Sequence, residues 1–305
     1  MIVLALRQMT LVAAAWATLA AVSPRHAGAA DTSSWNGDAR SAMRLLAGQT
    51  AGPPGELRAG IELRLAAGWK TYWRYPGDSG VPPVFDFSKS ENLKSVEVRW
   101  PAPHRFTDDS GASIGYKGSV VLPLHLVAQN ASRPVVLRIA MDYAICERLC
   151  IPAKGAANLD ISRATTANNA ALAAAEALVP QPVPLGDPGP LAVRAMRQEG
   201  GAKPRVIVEV AAPAGVGGDG PGAPLDLFVE GPTSDWALPV PEPIDSGPGA
   251  VAQAAGPGGL GGQGVLHRFA FEIDGVPPGA SATGARLRFT LVAGDRSIEA
   301  TGTLE

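Results

Sequence analysis

The sequence is poor in the residues that build metal and hydrolase sites. Its 305 residues include two cysteines and four histidines. Zinc usually takes four nitrogen or sulfur ligands, and His104, His125 and His267 lie at no short ligand spacing from the cysteines. No histidine and carboxylate are arranged around a nucleophile as a hydrolase would need. The sequence therefore predicts neither a zinc site nor hydrolase chemistry.

An excess of charge of one sign is also missing. Lys and Arg number 26 against 28 Asp and Glu, and no basic cluster stands out, which argues against nucleic acid or an anionic membrane as the main partner. The glycine-rich run at residues 258–264 lacks the Lys-Ser/Thr and the helix start of a phosphate loop, so no cofactor is predicted. We expect proteins to be the partners.

Residues 1–30 predict a cleaved secretory signal peptide. Arg7 supplies a positive charge, residues 11–22 are largely apolar, and small residues at 27–30 suit a signal peptidase. The alternative, an uncleaved anchor, is disfavoured because twelve residues fall short of the about 20 that span a bilayer. We expect an exported chain, which in a bacterium means the periplasm.

The two cysteines, Cys146 and Cys150, form a Cys-x3-Cys pair. In one extended strand their Cα atoms would lie about 13 Å apart, whereas a disulfide needs roughly 4.4–6.8 Å, so a turn must separate them if they pair. Such a short ring would contribute only about 2 kcal/mol as a staple. Three uses stay open: a redox pair, a structural disulfide in a non-catalytic adaptor or chaperone, and Cu(I) handling through two thiolates.

Period-two alternation predicts an all-β fold. Apolar residues recur at every second position through residues 56–65 and 120–126, in the first run alternating mostly with charged residues, and Gly/Pro-rich breaks separate the runs. At residues 137–145 the odd positions are all apolar, which by parity places Cys146 on the opposite, more polar face with Arg138 and Asp142. We therefore expect Cys146 to be reachable rather than buried.

The strand pattern stops near residue 163 and resumes after residue 190. We predict a first β-sandwich at residues 31–163, an Ala/Pro-rich linker at 164–190 and a second β-sandwich at 191–305. Within the linker, residues 167–179 predict a short helix capped by Thr165 or Thr166 and ended by Pro180. The Gly/Pro-rich residues 247–264 predict a long flexible loop.

Four ordered motifs resemble one family. They are Gly-Trp-Lys-Thr-Tyr-Trp-Arg-Tyr-Pro-Gly-Asp-Ser-Gly at residues 68–80, Trp-Pro-Ala-Pro at 100–103, Gly-Tyr-Lys-Gly at 115–118 followed by Val-Leu-Pro at 121–123, and Cys-Glu-Arg-Leu-Cys-Ile-Pro at 146–152. In this order, and across residues 40–163, they resemble the N-terminal periplasmic region of thiol:disulfide interchange proteins of the DsbD and ScsB type. The second β domain resembles the longer N-terminal region of the ScsB type in architecture.

The resemblance implies an immunoglobulin-like β-sandwich with Cys146 and Cys150 as its catalytic redox pair, Cys150 being the one that engages partners. Phe106, Asp108 and Asp109 stand where the family has its covering loop. The implied partners are a membrane-embedded thiol electron donor of the DsbD or CcdA type and periplasmic disulfide proteins as acceptors. The membrane and thioredoxin-like domains of complete DsbD proteins do not occur in this sequence, so the donor must be a separate protein.

The residues between the cysteines leave the thiol pKa open. Arg148 would stabilise a thiolate and Glu147 would oppose it. The exchange itself needs only a thiolate, a disulfide and access between them. We therefore expect access to control the reaction.

Overall fold

The computed structural model describes residues 31–49, 52–108, 111–161, 165–201, 203–217, 223–244 and 264–305. The predicted signal peptide lies outside the described residues, as does almost all of the predicted loop at 247–264. No helix in the described part of the chain is long and apolar enough to cross a membrane.

The first β-sandwich pairs a five-stranded sheet with a six-stranded one. The five-stranded sheet has the order β1-β2-β3-β9-β6, and the other has the order β11-β10-β4-β8-β7 with β5 added beside β10. Its strands are β1 (Asn36–Gly37), β2 (Ser41–Ala47), β3 (Glu56–Leu65), β4 (Lys70–Gly77), β5 (Val84–Asp86), β6 (Leu93–Val98), β7 (His104–Asp108), β8 (Gly111–Lys117), β9 (Ser119–Ala128), β10 (Val135–Cys146) and β11 (Cys150–Ile161).

The predicted alternation sets the core of this sandwich. Ile61 and Leu63 of β3 are almost completely buried, and Leu137 and Ile145 of β10 pack into the same core. Their polar neighbours point to the opposite face, as expected for strands that are covered on one side. The sequence prediction of half-buried strands is confirmed here.

The second β-sandwich is smaller and contains no cysteine. Its two four-stranded sheets have the orders β12-β19-β18-β15 and β13-β14-β17-β16. The strands are β12 (Gln181–Pro182), β13 (Ala192–Glu199), β14 (Arg205–Ala212), β15 (Leu225–Glu230), β16 (Glu242–Pro243), β17 (Val265–Glu272), β18 (Arg286–Ala293) and β19 (Arg296–Thr303). The architecture is thus all-β and immunoglobulin-like in both halves, as predicted.

Helix α1 (Asn169–Ala177) connects the two sandwiches and packs on the first one. Leu172 is fully buried against Gly48 and Gly60, where an added Cβ would lie 2.4 and 2.7 Å from its methyl groups. The predicted threonine cap is wrong: Asn168 occupies the N-cap. Its side chain does not cap the helix but donates hydrogen bonds to the backbone carbonyls of residues 31 and 47. These bonds tie the start of the helix to the end of β2.

The two sandwiches meet through β4 and β7. Trp73 packs against Phe228 with ring centroids 5.9 Å apart. Arg74 forms ion pairs with Glu230 and Glu299, the first at 2.7 Å. The partners of Arg105 on the second sandwich are the carboxylates of Asp226 and Glu242 and the carbonyl of Pro241. The second sandwich therefore holds two strands of the sheet that carries the cysteines.

Candidate redox site

Cys146 and Cys150 form a disulfide at the tip of a β-hairpin. Cys146 ends β10, Cys150 begins β11, and the two are directly opposite each other in the antiparallel ladder. Residues 147–149 make the turn between them. Their Cα atoms are 4.1 Å apart, because the last cross-strand pair of a hairpin brings facing side chains together. The predicted turn and disulfide are both confirmed.

The two cysteines differ in exposure. Cys146 is only 6% exposed, whereas Cys150 is exposed to solvent. The expectation that Cys146 would be reachable is therefore wrong. Strand parity did place it outside the main core, but Tyr72 of the neighbouring strand β4 covers it, and these two residues form a separate small cluster with Ala144.

Tyr72 contacts both halves of the disulfide. Its ring packs with Cys146, and its hydroxyl donates a hydrogen bond to Sγ of Cys150 at 3.0 Å. Gly80 holds the ring from the other side: a Cβ there would lie 2.4 Å from Cε1 of Tyr72. Its φ of +144° is a backbone conformation that favours glycine. The turn after β4 thus folds back over the tyrosine.

A buried lysine lies beside the pair. Lys70 is directly opposite Cys146 across β4 and β10 and is 8% exposed. Its Nζ donates to Oγ of Ser113 at 2.9 Å and lies 5.8 Å from the ring centroid of Phe106. Lys117, opposite Lys70 on β8, lies 4.4 Å from that same centroid. The sheet face next to the disulfide therefore carries two lysines, one of them buried.

The predicted covering residues are placed unequally. Phe106 lies on β7 opposite Ser113. Its ring lies near the ammonium group of Lys70, and Lys70 is in turn paired with Cys146 across β4 and β10. Asp108 ends β7 and pairs with Gly111, and its side chain is not among the described ones. Asp109 lies outside the described residues. Glu147 and Arg148 of the hairpin turn are both exposed, so solvent screens their opposed effects on the cysteines.

Ser113 lies in a Gly-Ala-Ser-Ile-Gly run at residues 111–115, which has the spacing of a nucleophile elbow. The elbow requires a sharp turn between a strand and a helix. Here the run lies inside β8, and Ser113 is buried with its hydroxyl bonded to Lys70 and to the carbonyl of Phe106. The run is therefore a strand segment that supports Lys70. Among the described residues, no group of three or more His, Cys, Asp or Glu is arranged to hold a metal ion.

The sequence motifs contained Tyr72, Lys70 and Gly80, but gave them no role. The feature of the sequence that could have indicated a role is the run at residues 68–80, because a lysine and a tyrosine two positions apart on a strand share one face. What the run could not show is that this face lies beside the cysteine hairpin. That neighbour relation comes from sheet order.

Two comparisons with known proteins give a match for this chain. A family model described as "Thiol:disulfide interchange protein DsbD, N-terminal" matches residues 42–161. Among solved structures, the chain is similar to the N-terminal periplasmic domain of ScsB from Proteus mirabilis, with a TM-score of 0.66 and 19% identity over 90% of this chain and 98% of that one. A search of curated proteins finds no match. Residues 42–161 thus match the family model of the DsbD N-terminal region, and nine-tenths of the chain has a fold similar to that of the ScsB periplasmic domain.

Proposed function

We propose that this chain is a periplasmic thiol:disulfide interchange protein that passes electrons from a membrane-embedded donor to periplasmic disulfide proteins. The observation that carries the proposal is the disulfide at a hairpin tip, with one cysteine exposed and the other buried. Location in the periplasm rests on the predicted signal peptide at residues 1–30 and on the similarity to the ScsB domain, which is periplasmic.

The different exposure of the two cysteines supports a separate role for each of them. A thiolate of the donor attacks Sγ of Cys150, and the bond to Cys146 breaks, so that Cys146 takes the electron pair and a proton. The donor's second thiolate then attacks its own sulfur in the mixed disulfide and releases Cys150. The donor dithiol becomes a disulfide and the Cys146–Cys150 disulfide becomes a dithiol.

Delivery to the acceptor runs through the same atoms in reverse. The Cys150 thiolate attacks one sulfur of the acceptor's disulfide, and the acceptor's other sulfur leaves with the electron pair. Cys146 then attacks Cys150, restores the internal disulfide and releases the acceptor as a dithiol. Cys150 is thus the residue that engages partners, and Cys146 is the resolving residue.

We further propose that residues 31–163 form the redox domain, 164–190 the connection and 191–305 a second domain that supports it. Phe106 is proposed to belong to the cover of the site, since Lys70 and Lys117 fix its ring beside the disulfide face. The proposed covering role of Asp108 and Asp109 rests on their position in the sequence.

The reduction potential tests the relay against a structural disulfide. The mature chain is equilibrated in glutathione and dithiothreitol buffers, and the fraction of reduced Cys146 and Cys150 is counted by mass spectrometry after alkylation. A relay requires a potential above about −300 mV, since more negative values are typical of bridges that resist exchange. A value well below that limit would contradict the proposed function and favour the adaptor with a structural bridge.

A further inference from the structure

Tyr72 is the side chain that touches the reacting sulfur. Its hydroxyl oxygen lies 3.0 Å from Sγ of Cys150, within the distance of a hydrogen bond to sulfur. In the disulfide this sulfur carries no proton, so the phenol is the donor and the sulfur a weak acceptor. After reduction, a Cys150 thiolate at the same place would be a charged and much stronger acceptor.

The tyrosine is held in place before any reaction occurs. It is 2% exposed, with its ring packed on Cys146 on one side and against the backbone of Gly80 on the other. A ring fixed on two sides has little freedom to lose when its hydroxyl bonds a thiolate. The hydroxyl is therefore positioned for the charge that forms when the disulfide opens.

We propose that Tyr72 is a catalytic residue of the exchange, whose hydroxyl donates a hydrogen bond to the Cys150 thiolate in the reduced protein. This inference rests on the proposed function and names a residue that stabilises its reactive form. A hydrogen bond to the charged form of a group favours that form, so it increases the thiolate fraction of Cys150. It also makes Cys150 a better leaving group when the donor is released, because a thiol of lower pKa leaves faster.

Other charges reach the site from each surrounding element. Lys70 lies on β4, Lys117 on β8, and Glu147 and Arg148 lie in the hairpin turn. A Tyr72→Phe substitution removes one oxygen atom and leaves all four charges in place. Comparing the two proteins therefore isolates the effect of the hydroxyl.

The test measures Cys150 alone, in the full mature chain with Cys146→Ala. The rate of alkylation by iodoacetamide is recorded from pH 5 to 10 with Tyr72 and with Tyr72→Phe. We expect the substitution to raise the midpoint of the profile by about one pH unit, the size expected for a hydrogen bond to a charged group. At pH 7 the substitution should leave about tenfold fewer thiolates, each about threefold more nucleophilic, so the alkylation rate should fall about threefold. At high pH, where every thiol is ionised, the rate should rise about threefold.

Tyr75→Phe is the matched control. Tyr75 lies on the same strand, but its hydroxyl donates to the carbonyl of Leu238 in the second sandwich, so its removal should leave the midpoint unchanged. Equal midpoints for the Tyr72→Phe variant and the chain that keeps Tyr72 would overturn the proposal. A Tyr72→Phe profile that is scaled at every pH without a shifted midpoint would do the same, since it indicates a steric cover only.

A second measurement needs no substitution at residue 72. With tyrosine labelled with ¹³C at Cζ in the Cys146→Ala chain, the Tyr72 resonance should titrate with the same midpoint as Cys150 alkylation. A resonance that does not move through that midpoint contradicts the hydrogen bond. Neither measurement involves a redox partner, so failure of this inference is distinct from failure of the relay, which the reduction potential decides.

Discussion

At the scale of single residues, the difference between the two cysteines has the clearest consequence. Cys150 is exposed and Cys146 is covered by Tyr72. A partner thiol therefore meets less protein around Cys150 than around Cys146. The roles proposed for the two cysteines rest on this asymmetry, although the sequence presents them as a symmetric pair around three residues.

The roles predict opposite outcomes for the two single substitutions. Cys146→Ala should accumulate a mixed disulfide with an oxidised thioredoxin-like probe, because the Cys150 thiolate attacks the probe's disulfide and Cys146 is absent to resolve the adduct. Cys150→Ala should trap at least tenfold less, because Cys146 is buried. Mass spectrometry under acid quench measures both adducts.

The stability of these variants is the control. Loss of the five-residue ring should cost about 2 kcal/mol by the chain-entropy estimate, so both single variants should unfold at similar temperatures. Equal trapping by the two variants would contradict the assigned roles. A much larger loss of stability with unchanged trapping would favour a structural bridge.

At the scale of elements, helix α1 belongs to the first sandwich by its contacts. Leu172 fills the space above Gly48 and Gly60, and Glu176 forms an ion pair with Arg58 of β3 at 2.6 Å. The connecting segment predicted from composition therefore contains a docked helix. Its packing fixes where the chain leaves β11 and enters the second sandwich.

We expect Leu172→Ala to destabilise the first sandwich by about 3 kcal/mol, because it opens a cavity at a fully buried site. Leu178→Ala is the matched control: it lies just after the helix and is 47% exposed, so its effect should stay within about 0.5 kcal/mol. Urea unfolding with tryptophan fluorescence measures both. Equal effects would mean that the helix does not support the sandwich.

Strand β17 carries a group that makes the second sandwich sensitive to acid. Burial lowers the pKa of His267 below its ordinary value of 6.5, and within the described residues its Nε2 has no hydrogen-bond partner. A lowered pKa in the folded state means that the unfolded chain binds the proton more readily. This contribution to stability is therefore complete above pH 6.5 and is lost as the pH falls below it.

Removing the imidazole should weaken the dependence of the free energy of unfolding on pH. With His267→Phe, the free energy of unfolding should change less between pH 7 and pH 5 than it does in the unaltered chain. His104→Phe serves as the control, because His104 is exposed at the start of β7. An identical slope for the His267 variant and the unaltered chain would contradict the prediction.

At the scale of the whole molecule, partly buried ion pairs join the two sandwiches. Burial lowers the pKa of Arg74, but the hydrogen bonds and charges of Glu230 and Glu299 outweigh it, so the net shift is upward. The side chain of Arg74 is 19% exposed and that of Glu230 is 16% exposed. Because β4 carries Lys70 and Tyr72 as well as Arg74, the second sandwich holds the strand that covers the disulfide.

We expect Arg74→Met to destabilise the protein by about 3 kcal/mol, because it leaves two carboxylates partly buried without their cation. Arg99→Met is the control, since the Arg99–Glu97 pair is exposed and should contribute less than about 1 kcal/mol. The triple change Arg74→Met, Glu230→Gln, Glu299→Gln should recover much of the loss. Urea unfolding checks the three variants, and equal losses for Arg74→Met and Arg99→Met would contradict a structural role for this contact.

The sequence by itself determined several of the strands, the core-facing side of β3 and β10, and the turn and disulfide between Cys146 and Cys150. Alternation along β3 and β10 sufficed for this, since side chains of a strand point to opposite faces at every second residue. The ordered motifs also predicted the family whose model matches residues 42–161. These features are local, so neighbouring residues in the chain encode them.

Only the tertiary structure decided which sulfur is accessible. Strand parity correctly placed Cys146 outside the main core. It wrongly predicted that Cys146 is exposed, because parity says nothing about the side chains of the neighbouring strand. The order β11-β10-β4 puts Tyr72 over Cys146 and its hydroxyl against Cys150. Burial depends on neighbours that are distant in the sequence, and those neighbours are set by sheet order and by the docking of the second sandwich on β4.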